Sequence, residues 1–171
     1  VVDSTGELLW STVFPREQST QPHRVLARPE GGFALAGFNQ GLSASRDAWL
    51  MLVDEAGGVD AEWEYTPSEG PQLVLKSAAH MPDGGYALAG SGSGAWLVTT
   101  DVFGGELSRR HYGEELHDGF LAMAALPGGF AFAGKRRQPE PGPTGPLDDG
   151  WLVLTSTNGD VLIDVTFEDH Q

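Results

Sequence analysis

One heptapeptide, written three times, constrains this chain more than any other feature. Gly31-Gly32-Phe33-Ala34-Leu35-Ala36-Gly37 returns as Gly84-Gly85-Tyr86-Ala87-Leu88-Ala89-Gly90. It returns again as Gly128-Gly129-Phe130-Ala131-Phe132-Ala133-Gly134. Large and small residues alternate inside it, a period of two that belongs to a strand and not to a helix. Both faces are apolar, so the strand is expected to be buried on both sides. One side is bulky and the other permits close approach, which suits a sheet stacked between two neighbouring sheets.

The surroundings repeat in step. Asp3, Asp54, Asp101 and Ser156 are each followed three residues later by Gly6, Gly57, Gly104 and Gly159, and eleven residues later by Phe14, Tyr65, Tyr112 and Phe167. A hairpin turn explains the first offset. Asp or Ser can bond to backbone N–H groups within the turn, and glycine takes the positive φ that a tight turn demands. Trp49, Trp96 and Trp151 stand five residues before the turn residue, each on an apolar stretch that reads as a strand. A tryptophan at a fixed strand position is expected to be a packing anchor between sheets, since a ligand-stacking role would need its ring to face solvent. Another strand precedes each heptapeptide, at 24–28, 74–80 and 120–126. It ends in Pro29-Glu30-Gly31-Gly32, Pro82-Asp83-Gly84-Gly85 or Pro127-Gly128-Gly129, where Pro presets φ and Gly supplies the left-handed position of a short hairpin.

The unit is therefore four antiparallel strands, A to D. It runs from about 22 to 66, from 71 to 113 and from 117 to 167, with a further strand within 1–14 matching strand D of a preceding unit. The heptapeptides are spaced by 53 and 44 residues. A four-stranded meander near that length, repeated, is the sequence signature of a β-propeller. The expected fold is all-β: three propeller blades plus one extra N-terminal strand, as part of a larger or oligomeric propeller.

The pattern resembles the bacterial and archaeal β-propeller repeats known as the SBBP type. Three segments carry the likeness: Tyr112-Gly113 with Asp118, Asp83-Gly84-Gly85-Tyr86 with Ala89-Gly90, and Asp47-Ala48-Trp49-Leu50 with Asp54. It departs where the usual basic residue after the Trp-Leu pair is missing and where Ser156 replaces Asp. The resemblance implies a propeller of a secreted or cell-surface protein and no defined activity.

Three blades and a strand do not close a ring, because propellers typically have about four to eight blades. An open array would leave apolar blade faces in water and an unpaired strand edge. Three resolutions stay open: the chain is an excerpt of a longer protein, two chains close one ring, or blades stack between chains in a larger assembly.

Composition narrows the partners. The net charge of -14 argues against nucleic acid and anionic lipid, which need a basic surface. No apolar run is long enough to span a membrane. The absence of Cys excludes disulfides and thiolate metal sites. Lysine occurs only at Lys76 and Lys135, as a high-salt habitat would favour, and as an ordinary acidic protein from a GC-rich genome would also show.

Meander geometry puts the A–B and C–D turns on one face and the B–C and D–A connections on the other. The first face is uniform. The second varies, with a B–C loop that is long at 38–47, minimal at 91–94 and longest at 135–149. Variable loops on a rigid scaffold are the usual place for binding. Lys135, Arg136 and Arg137, followed by the stiff Pro-rich stretch 139–146, form the strongest basic cluster and suggest docking on an acidic partner or on the parent protein. His111, His117 and Asp118, with Glu114 and Glu115, are near enough in sequence to suggest a metal site, although zinc needs three or four converging ligands. No nucleophile elbow or phosphate loop is present. The expectation is a non-catalytic scaffold or binding module with no cofactor, whose partners are a protein, a glycan or further blades. The alternatives are an enzyme or ligand-binding propeller with its site on the B–C/D–A face, and a repeat unit of an extended surface assembly.

Overall fold

The computed structural model describes residues 1–15, 19–40, 45–67, 72–92, 94–113, 117–138 and 148–167. Among them are twelve strands and no helix. The first four are β1 (Ser19–Ala27), β2 (Phe33–Gln40), β3 (Arg46–Val53) and β4 (Val59–Tyr65). Next come β5 (Leu73–His80), β6 (Tyr86–Gly92), β7 (Ala95–Thr100) and β8 (Glu106–Tyr112). The last four are β9 (Gly119–Leu126), β10 (Gly129–Arg137), β11 (Asp148–Ser156) and β12 (Val161–Phe167). Each group of four is an antiparallel meander paired in chain order. A parallel bridge from Arg46 to Gln72 joins the first meander to the second, and Ser91 opposite Gly119 joins the second to the third.

The repeated residues occupy repeated geometry. At the C–D turn, Asp54 Oδ1 accepts from Ala56 N (2.9 Å) and Gly58 N (2.7 Å), and Asp101 Oδ1 from Phe103 N (2.9 Å) and Gly105 N (2.8 Å). Asp3 Oδ1 makes the same pair with Thr5 N and Glu7 N. Ser156, with a shorter side chain, keeps one of the two bonds, from Asp160 N at 3.2 Å. The glycines at these turns have φ between 82° and 94°, as their spacing predicts. The heptapeptide's closing glycines, Gly37, Gly90 and Gly134, lie opposite Trp49, Trp96 and Trp151. A Cβ at Gly90 would sit 2.0 Å from the Val74 carbonyl oxygen, so the inner strand can approach only glycine there. All three tryptophans are buried; Trp96 and Trp151 are packing anchors between sheets, and Trp49 is covered by the N-terminal segment.

The meanders stack with the large-residue face of one on the alanine face of the one before. Tyr86, Leu88 and Trp96 of the second meander share a core with Ala34, Ala36 and Ala48 of the first. Phe130, Phe132 and Trp151 of the third share another with Ala87, Ala89 and Ala95 of the second. A hydrogen bond at the outer edge of each junction fixes this order. Tyr65 Oη donates to the Gly104 carbonyl (2.7 Å) and Tyr112 Oη to the Gly159 carbonyl (2.8 Å), so the last residues of β4 and β8 are each tied to the C–D turn of the next meander.

Two sequence expectations are corrected. Burial of the heptapeptide on both faces holds only for β6. In β10 the large face is buried, while Ala131 is half-buried and Ala133 exposed, because no described residue covers their side. The extra N-terminal strand does not form either. Residues 8–14 make one bridge, Leu8 to Val2, since a strand exists only where a neighbour supplies a ladder. The segment nevertheless takes strand D's place in space. Thr12 lies against Gly57 as Trp63 lies against Gly104 and Arg110 against Gly159. Trp10 and Phe14 cover the large face of the first meander, with Phe14, like Leu35, packed against the cluster of Trp49, Met51 and Val53.

Candidate functional site

The basic cluster is not a loop. Lys135, Arg136 and Arg137 are the last residues of β10, because Asp148 and Asp149 extend β11 to pair with Arg137 and Arg136. Lys135 Nζ contacts Asp148 Oδ2 at 2.6 Å and Arg137 Nε contacts Asp148 Oδ1 at 2.7 Å. The Lys135 hydrogen bond leads the causes that hold the Asp148 carboxyl below its ordinary value. Arg136 pairs with Asp164 at 2.8 Å and lies over the Trp151 ring, 4.2 Å from its centroid. Each cation of the cluster thus has a carboxylate partner within its own meander and does not present an unpaired docking patch. The Pro-rich stretch 139–146, and Glu114 and Glu115, lie outside the described residues.

His111, His117 and Asp118 do not converge. Both histidines are exposed, whereas Asp118 is buried and its Oδ1 accepts from Arg137 N at 2.8 Å. Among the described residues no group of three or more His, Cys, Asp or Glu is arranged to hold a metal ion. Asp118 instead fixes the D–A connection to the end of β10, and Gly113 packs against its carboxylate.

A different cluster, which sequence reading missed, forms where the first meander meets the second. The inner strands β1, β5 and β9 lie side by side. Each has a register irregularity at the same place, opposite the closing Ala-Gly of the heptapeptide, and the residues set out of the ladder are His23, Lys76 and Leu121. A bulge re-aims its side chain and is over-represented beside functional sites. His23 lies against the Phe38 ring with centroids 5.3 Å apart, and the Arg46 guanidinium lies over the same ring at 5.5 Å. Phe38 stands on the alanine face of its meander, so this group sits at the loop end of the junction. Burial, then Lys76, then Arg24 hold the His23 imidazole below its ordinary value.

No protein-family model matches the chain, and no curated protein matches it. A crystal structure of a protein of unknown function from Bacteroides caccae, at 1.35 Å resolution, is similar in fold, with a TM-score of 0.58 and 18% sequence identity. The likeness covers 96% of this chain and 52% of the other, so this chain spans about half the length of the solved structure it matches.

Proposed function

We propose that the chain is a run of β-propeller blades of the SBBP type, serving as a non-catalytic scaffold or binding module of a secreted or cell-surface protein. One observation carries the reading: the second and third meanders each seat their large face on the alanine face of the meander before. The alanine face of the third meander is free among the described residues. It presents Ala122, Ala124, Leu126 and Ala133 with Ile163 and Phe167, all exposed. Register makes it the equivalent of the two faces that are covered. A further meander of the same kind, offering an aromatic–leucine–tryptophan face, is its occupant. A contiguous apolar sheet face is otherwise an association surface with no partner.

Two readouts test this on the protein as expressed from its own gene. Protease shaving of intact cells should release peptides of this chain, and release only after lysis would overturn the location. Hydroxyl-radical footprinting of the purified protein should leave Leu126, Ile163 and Phe167 protected. Labelling of these residues as strong as that of the exposed Phe103 would overturn the stacked array.

A further inference from the structure

We infer that the junction of the first and second meanders is an oxyanion-binding site, in which His23 and Arg46, both against the Phe38 ring, and Lys76, set out of the ladder on the neighbouring β5, take a small carboxylate or phosphate ligand. The inference rests on the junction itself and is independent of the propeller reading.

Charge distribution is the first support. The chain carries 24 acidic residues, yet β1, β5 and β9 contain none. Their ionisable side chains are His23, Arg24, Lys76 and His80. Pairing is the second. Arg28, Arg109, Arg110, Lys135, Arg136 and Arg137 all have an acidic partner. Arg24, Arg46 and Lys76 have none among the described residues; Arg24 is exposed and donates to the His23 carbonyl, whereas Arg46 Nε is shielded from solvent without a hydrogen-bond partner. In a chain of net charge -14, cations without acids are a local excess that the sequence does not produce by default.

The nearest acids are directed elsewhere. Asp47 follows Arg46 on β3 and so faces the opposite side of the sheet. Glu64 lies opposite Trp49, on that same far side, and accepts from Asn39 Nδ2. Asp47 has its carboxyl pushed up by burial and by Glu64, a repulsion that an adjacent cation would have relieved. Sheet parity thus puts Asp47 and Glu64 on one face of the first meander and Arg46 on the other. By register, Phe38 and Arg46 of the first meander take the places of Lys135 and Asp148 in the third, so a cation stands in the first meander where the third has its anion.

The test follows the His23 ring resonances by NMR while citrate or inorganic phosphate is titrated in at constant ionic strength. Saturable shifts are expected with at least one of the two, and comparison of the two tells carboxylate from phosphate. K76M and R46Q should each weaken binding about tenfold or more, while K135M, which removes the other lysine, leaves it unchanged. Folding of each variant is checked by the dispersion of the same spectra. Absence of saturation, equal shifts with sodium chloride, or an unaltered affinity in both K76M and R46Q would overturn the site and leave an adventitious ion only.

Discussion

At the residue scale, the turn aspartate is the smallest repeated device, and its worth can be measured within the chain. Asp101 Oδ1 accepts two backbone N–H groups, whereas Ser156 accepts one. Replacing Asp101 with Ala removes both acceptors and should cost about 1–2 kcal/mol, while D101S, which imitates the third meander, should cost about half as much. Urea unfolding at neutral pH reads the difference, and equal losses for the two variants would contradict the geometry. The turn residues were legible in the sequence because their chemistry is local: Asp3, Asp54 and Asp101 bond to groups two and four residues away. The partners of Lys135 and Arg137 were not, because Asp148 is brought to them only by the β10–β11 register. His23, Arg46 and Lys76 were harder still. They come from three strands of two meanders, and their one sequence signal is an absence, the lack of carboxylates on the inner strands.

At the scale of elements, strand D does more than finish a meander. Its terminal tyrosine is tied to the next turn, so it joins one unit to the following one. Burial pushes the Tyr112 hydroxyl up to about 12 from the ordinary 10.0. Between these values the folded state retains a proton that the unfolded chain has released. The stabilisation is therefore complete below the unfolded value and is lost as pH rises through about 12. Y112F should lose about 1 kcal/mol at neutral pH, because the Gly159 carbonyl loses its donor. Its stability should also fall less steeply than that of the parent above pH 10.0, the ordinary tyrosine value. Urea midpoints at neutral and alkaline pH give both numbers. The strand character of the heptapeptide was legible from alternation alone. The order of stacking was not, since an alternating strand states which faces it has and not which neighbour receives each. The segment 8–14 shows the converse: its pattern matches strand D, yet the ladder that would make it a strand is missing.

At the scale of the whole molecule, equivalent alanines have opposite fates. Ala89 is completely buried between meanders, and Ala133, its counterpart, is exposed. In the 171-residue chain alone, A89E should therefore abolish cooperative unfolding, whereas A133E should leave stability within about 0.5 kcal/mol. In light scattering at high protein concentration, A133E should also lower any self-association of the chain; unchanged association would place the contact elsewhere. The large-on-small rule gives the stack a polarity. A two-fold axis would bring alanine face to alanine face, or ring to ring, and neither pair interlocks. Copies that meet through these faces must join head to tail, a heterologous contact with no built-in stopping point unless the rotation per step happens to close. The alanine face left open among the described residues is then the end at which a unit would add, and a high negative charge, which holds copies apart, is a brake on growth of that kind.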